Sequence, residues 1–133
     1  MELTTVKIEP PKDANVILGQ AHFIKTAEDL YEALVNAVPT VKFGLGFCES
    51  SGPCLVRSEG NDPELKHLAA QKALELACGH SFLIILRNVY PINVLDKIKA
   101  LDYNVLAQRP HISKSERVGL LLGTLARVAF RAA

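Results

Sequence analysis

Between two apolar runs of this chain lies a short polar loop that carries a carboxylate and two hydroxyls. The stretch reads Phe43-Gly-Leu-Gly-Phe-Cys-Glu-Ser-Ser-Gly-Pro-Cys-Leu-Val-Arg57. The first run is punctuated by Gly44 and Gly46 and stops at Glu49. Ser50-Ser51-Gly52-Pro53 then turn the chain, and Cys54-Leu55-Val56 resume the apolar character. A strand, a turn and a second strand account for this pattern. Glycine inside a strand lets another backbone or a ligand approach closely, and polar loops held by buried strands are favoured places for binding chemistry. Glu49 can accept hydrogen bonds from sugar hydroxyls, orient a histidine or hold Mg2+. Ser50 and Ser51 precede a turn whose amides can face an anion. A well-made hairpin with no ligand is the other reading these residues leave open.

Two histidines add a second kind of chemistry. A neutral imidazole is a nucleophile at physiological pH without a strong base beside it. His80 follows Gly79 between an expected helix end and an apolar run. Backbone carbonyls there can fix one ring nitrogen and leave the other free, and Ser81 can donate to a phosphoryl oxygen. A histidine that merely ties a helix end to the sheet would look the same. His22 follows Gly19-Gln20-Ala21; it can bind phosphate, act as the nucleophile itself, or cap backbone groups. His67 reads as solvent-facing on a helix. Arg57 and Arg87 each end an apolar run, where the planar guanidinium meets either a phosphate or a surface carboxylate. Asn88 and Asn93 bracket Pro91: Asn88 can cap the helix that follows, and an amide can recognise adenine. No Gly-x-x-x-x-Gly-Lys-Ser/Thr loop is present, and the protein-kinase motifs are missing. Phosphoryl transfer on this chain would need another arrangement.

The elements that must position these groups follow from local pattern. Thr4 to Ile8 alternates as a strand would, until Pro10-Pro11 breaks it. Asn15-Val-Ile-Leu18 reads as a short strand closed by Gly19-Gln20. Thr26 is the expected cap of a first helix, with Glu28 and Asp29 in its first turn, Leu30, Leu34 and Val38 along one face and Pro39 as its stop. The glycine-punctuated hairpin follows, to about residue 58, with Glu59 to Asp62 as a turn. Asp62 can cap a second helix with Pro63 in first position, an apolar face of Leu65, Leu68, Ala69, Leu76 and Ala77, and Gly79 as a left-handed cap. Ser81-Phe-Leu-Ile-Ile-Leu86 is continuously apolar, as a strand buried on both faces should be. Pro91 opens a third helix with Val94, Leu95 and Ile98 inward. Strands alternating with helices predict an α/β fold, a single layered domain with a mixed sheet and helices packed against it.

Composition sets outer limits. The chain has 133 residues, 49% hydrophobic and 22% charged, with a net charge of +1. One domain of this size buries roughly two-thirds of its unfolded surface. The charge balance gives no field for nucleic acid or an anionic membrane, few aromatics argue against a base-stacking platform, and no apolar run reaches the ~20 residues of a membrane span. The first residues do not read as a signal peptide. Cys48, Cys54 and Cys78 are an odd set that suits a reduced, cytoplasmic protein, although Cys48 and Cys54 flank the polar turn and can pair across it. Residues 102–133 change character: five basic residues stand against Asp102 and Glu116. Ser113 to Glu116 resembles a capping box, and Val118, Leu121, Leu122, Leu125, Val128 and Ala129 form a helical stripe. A basic amphipathic helix of the same domain is the expectation for this segment.

Four segments taken together resemble the adenosine-specific kinase family: Ala14-Asn-Val-Ile-Leu-Gly-Gln-Ala-His-Phe-Ile-Lys25, Phe47 to Arg57, Gly79-His-Ser-Phe82, and Arg87-Asn-Val-Tyr-Pro-Ile-Asn-Val-Leu95. The resemblance covers residues 1 to about 101, and residues 102–133 depart from it. It implies an α/β fold, a source among archaea or thermophilic bacteria, binding of adenosine or its monophosphate, phosphotransfer through a histidine, and a homo-oligomer. His80 is then the expected phosphoryl carrier and His22 its rival. Glu49, Ser50, Ser51, Arg57, Ser81, Arg87, Asn88 and Asn93 are the expected substrate-binding residues. No resident metal site is assigned; Mg2+ arriving with a nucleotide phosphate donor is the cofactor such a transfer would recruit. A nucleotide-binding protein without turnover, sensing adenosine monophosphate in the same pocket, is the alternative. A chain left inactive by its altered end is a third.

Overall fold

A computed structural model of the chain describes residues 2–101 and 104–107. Its elements, in order, are β1 (Ala14–Gln20), α1 (Thr26–Ala37), β2 (Lys42–Cys48), β3 (Val56–Gly60), α2 (Pro63–Leu76), β4 (Ser81–Arg87), a 3-10 turn at Pro91–Asn93, α3 (Leu95–Lys99) and β5 (Asn104–Ala107). Five strands form one sheet in the order β3-β2-β4-β1-β5. Helices α1 and α3 pack on one face, around Leu30, Leu34 and Ile98, while α2 packs on the other through Leu65 and Ala69. The α/β single-domain expectation holds.

Every pairing in the described sheet is antiparallel, so the parallel part implied by a mixed sheet is missing. The alternation of strands and helices misleads here for a definite reason. β1 and β2 run in the same direction, as strands joined by a helix usually do, but β4 lies between them and opposes both. Strand β4 is buried along its length up to Arg87 because each face of the sheet is covered: Phe82, Ile84 and Leu86 look toward α1, and Leu83 and Ile85 toward α2.

Local signals explain most element ends. Asp62 accepts a hydrogen bond from the Leu65 amide at 3.2 Å, with Pro63 in the first turn, which caps α2 as expected. Helix α1 stops at Ala37, ahead of Pro39. Thr26 is already helical and makes no cap; its hydroxyl donates to the Phe23 carbonyl at 2.5 Å. The left-handed residue after α2 is Ala77, with φ 48°, rather than Gly79. The alternating stretch before Pro10 forms no strand, because no described strand lies beside it; Ile8 instead packs against the cluster under α2. Strand β5 occupies 104–107, inside the segment expected to be helical, and pairs with β1. The amphipathic helix expected farther along lies outside the described residues.

The two strand glycines answer a specific need. A Cβ on Gly44 would sit 2.1 Å from the Leu65 carbonyl carbon, and one on Gly46 would sit 2.7 Å from the Ala69 carbonyl oxygen. The backbone of α2 therefore rests directly on β2, and the partner that glycine admits is a helix. Substituting Gly44→Ala forces backbone against backbone, with a cost of about 3 kcal/mol or more. Gly52, with φ 60° and open space around it, should cost only about 1 kcal/mol on substitution to Ala. Urea unfolding of the two variants checks this ordering.

Candidate functional site

The strand register decides which loops meet. Gln20 lies opposite Ser81, Phe47 opposite Phe82, and Cys48 opposite Val56. The end of β1, the end of β2 and the starts of β3 and β4 therefore share one end of the sheet, and the loops carrying His22, Glu49 to Leu55 and His80 gather there.

His80 is the anchored member. Its amide donates to the Cys48 carbonyl at 2.8 Å, and its carbonyl accepts from the Ala21 amide at 2.8 Å. One peptide segment thus ties the ends of β1 and β2 together. Gly79 leaves room beside it: a Cβ there would lie 2.9 Å from the Ser50 Cβ. With that space free, Ser50 Oγ comes within 2.7 Å of His80 Nε2 and 3.2 Å of Nδ1. The His22 ring stands 4.5 Å from the His80 ring, centroid to centroid, tilted by 55°. Burial, and then the like charge of His22, push the His80 pKa below its ordinary 6.5, against a smaller opposing effect of the Ala21 backbone, which favours the charged ring. The uncharged ring is therefore the favoured form at neutral pH.

The polar turn supplies the next group of residues. The Glu49 amide donates to the Leu55 carbonyl at 3.0 Å, and the Cys54 amide to the Ser51 carbonyl at 3.3 Å, with Gly52 and Cys54 left-handed. Ser51 is exposed. Arg57, at the start of β3, reaches across to α1: it donates to Glu28 at 2.7 Å and to the Ile24 carbonyl at 3.0 Å, and lies 3.5 Å from Glu49. Ser81 is buried, and its hydroxyl donates to the Cys78 carbonyl at 2.6 Å. Cys48, Cys54 and Cys78 are free thiols. Burial pushes the Cys48 and Cys78 thiols up, so neither is a ready thiolate nucleophile.

Three of the expected binding residues stand elsewhere. Arg87 ends the seven-residue β4 that Ser81 begins, and at about 3.3 Å per residue that is about 20 Å away. Its guanidinium is met by Asp13 at 2.9 Å, Glu64 at 3.0 Å and Asp62 at 3.3 Å. Asn88 is exposed with φ 61° and turns the chain out of β4. Asn93 accepts from the Tyr90 amide at 3.2 Å, so the capping expected of Asn88 falls to Asn93. The structure thus brings together His80, His22, Ser50, Ser51, Glu49 and Arg57, keeps Ser81 beneath them, and places Arg87, Asn88 and Asn93 at the opposite end. Sequence reading does not single out Gly79 as the gap that admits Ser50, Glu28 as the partner of Arg57, or Gln20 as a buried amide. Gln20 carries a usable signal: a polar residue in phase with Val16 and Leu18 points to the same covered face.

The sequence pattern of the adenosine specific kinase family matches residues 6–107. The chain belongs to that family. The match includes every described strand and ends with β5, a few residues past the boundary expected near residue 101, so the tail from residue 108 is outside it. The PH1918 protein from Pyrococcus horikoshii OT3 has a similar solved structure, 33% identical, covering 91% of this chain and 92% of that chain with a TM-score of 0.68. Among curated proteins no relative matches. No helix among the described residues is long and apolar enough to cross a membrane, and those residues hold no group of three or more His, Cys, Asp and Glu placed for a metal ion.

The histidine pair has a measurable signature. A lowered pKa means the folded state binds fewer protons than the unfolded chain as pH falls below 6.5, so this contribution to stability is present above 6.5 and is lost on acidification through the folded value. In an NMR titration the His80 ring should have its midpoint below 6.5. Substituting His22→Ala removes the neighbouring charge and should move that midpoint upward.

Proposed function

We propose that this protein is an adenosine- or AMP-directed phosphotransfer enzyme in which His80 carries the phosphoryl group. The supporting observation is the Ser50 Oγ to His80 Nε2 contact at 2.7 Å with the His22 ring alongside. If Nε2–H donates to Ser50, the lone pair is on Nδ1 and that nitrogen attacks. The new N–P bond forms as the bond to the nucleoside diphosphate leaving group breaks. In the second half the 5′-hydroxyl of adenosine attacks phosphorus, the N–P bond breaks, and His22 takes the hydroxyl proton. A depressed His80 pKa suits this role, because a protonated ring cannot attack.

In this reading Glu49 and Ser51 meet the ribose, Ser50 orients the nucleophile and Arg57 faces the phosphate. Arg87, Asn88 and Asn93 have no part, since they lie at the other end of the sheet. Ser81 supports the His80 loop from beneath through Cys78. Mg2+ is usually held by one or two carboxylates together with substrate phosphates; Glu49 and Glu28 are the carboxylates at this end, and such an ion would neutralise phosphate charge. The family resemblance further suggests a homo-oligomer, which light scattering would size.

One observation favours a second reading, an AMP-binding sensor without turnover. Arg57 is already held by Glu28 and Glu49, and the chain has no phosphate-cradling loop. Incubation with γ-labelled ATP separates the two. The enzyme reading expects an acid-labile, base-stable label on the protein that is absent from His80→Ala and passes to adenosine. Tight adenosine binding with no label on wild type would overturn the phosphohistidine and leave the sensor.

A further inference from the structure

Among the described residues, only two buried side-chain nitrogens lack a hydrogen-bond partner, Gln20 Nε2 and Arg87 Nε. The guanidinium is not isolated, because its Nε lies 2.9 Å from Asp13 Oδ2 and its charge is met there. Gln20 has no such compensation. Its side chain is on the last residue of β1, only 5% exposed, opposite Ser81, which is 3% exposed. Leaving a buried donor unmade costs about 1–3 kcal/mol, and buried polar groups in folded proteins are nearly always paired. The position matters as much as the deficit. Gln20 is two residues before His22, and the Ala21 amide that follows it bonds to the His80 carbonyl. The residue with the unpartnered Nε2 therefore stands at the end of the sheet where both imidazoles lie, on the same covered face as Ser81 and Cys48.

We infer that Gln20 is a specificity-determining residue that reads the purine edge. The inference rests on the nucleoside-binding reading given above. A carboxamide pairs with adenine through two parallel hydrogen bonds, its N–H donating to N7 and its oxygen accepting from the N6 amino group. The unpartnered Nε2 is the donor that N7 requires. The side chain has three torsions, and reading a base requires them to turn the amide from its buried position toward the loops of His22 and His80. A 6-oxo purine such as inosine offers an acceptor where adenosine offers the amino group, which sets two oxygens against each other. The residue thus favours adenine over hypoxanthine and leaves ribose and phosphate to the polar turn.

Calorimetric titration of wild type and Gln20→Leu with adenosine and with inosine tests this, together with thermal melts of the ligand-free proteins. Leucine has a similar volume and removes both amide atoms. The expected result is a fall in adenosine affinity of about tenfold or more, a much smaller change for inosine, and little drop in the ligand-free melting temperature, since the buried Nε2 that is removed had no partner. Gln20→Glu keeps the acceptor but sets a carboxylate oxygen against the N7 lone pair, so its adenosine affinity should also fall by about tenfold or more. If neither variant folds, the Gln20 side-chain amide resonance of the wild-type protein gives the same answer: it should move on addition of adenosine and hold still with ribose 5-phosphate. An unchanged ratio of adenosine to inosine affinity in Gln20→Leu, or an amide resonance that ignores adenosine, overturns the assignment while leaving nucleoside binding intact. A wild-type protein that binds neither adenosine nor AMP overturns the assignment and the proposed function together.

Discussion

The contact on which this molecule depends is the bare meeting of helix α2 with strand β2. Two glycines, spaced so that both face the helix, let Leu65 and Ala69 approach at backbone distance. That approach fixes the height of α2 above the sheet along its length. The Cys48 thiol, next in phase after Gly44 and Gly46, then donates to the Ala73 carbonyl at 3.1 Å. From there the chain has only a short path back into the sheet, through the turn at Ala77 to the start of β4. The position of His80 is thus a result of helix packing begun a full strand length away. The hydrogen bonds from its peptide to the ends of β1 and β2 complete the placement.

Each end of the sheet is closed by an arginine among carboxylates, and the two are built differently. Arg87 sits among Asp13, Asp62 and Glu64 with its side chain 18% exposed, and one of these, Asp62, also caps α2. That cluster joins strand, helix and chain start into a structural corner. Arg57 is more open, at 37%, and binds α1 to the polar turn through one residue from each. Exposed pairs of this kind contribute little to stability, so Arg57 can exchange a carboxylate for another anion at small cost. Geometry alone therefore separates the half-buried arginine from the more open one, although both end apolar runs in the sequence.

Much of this is legible in the sequence where the determinant is local. The Asp62-Pro63 start of α2, the doubly buried β4 and the polar turn after Cys48 all follow from residue types a few positions apart. Sequence reasoning fails where a distant partner decides. Direction of pairing is hidden because β4 enters between β1 and β2 from far along the chain. Gly79 reads as the left-handed residue because glycine usually takes that role; in the fold its missing side chain is needed against Ser50, and Ala77 makes the turn instead. Arg87, Asn88 and Asn93 lie within the family match just as Glu49 does, yet only the strand register shows that they are remote from the two histidines. The strand signal before Pro10 is real as an alternation, with Val6, Ile8 and Pro10 half-buried, but no strand among the described residues offers it a ladder.

His80 adopts φ 66°, a backbone shape in which an L side chain crowds its own carbonyl and where glycine rests without penalty. The polypeptide would relax if the imidazole were absent. A ring is nevertheless held there, its peptide braced by hydrogen bonds to the Cys48 carbonyl and from the Ala21 amide. A residue in this region persists only where the surrounding structure over-determines it. Cys54, Ala77 and Asn88 share this left-handed backbone, but only at His80 does it fall on the peptide that ties the ends of β1 and β2 together.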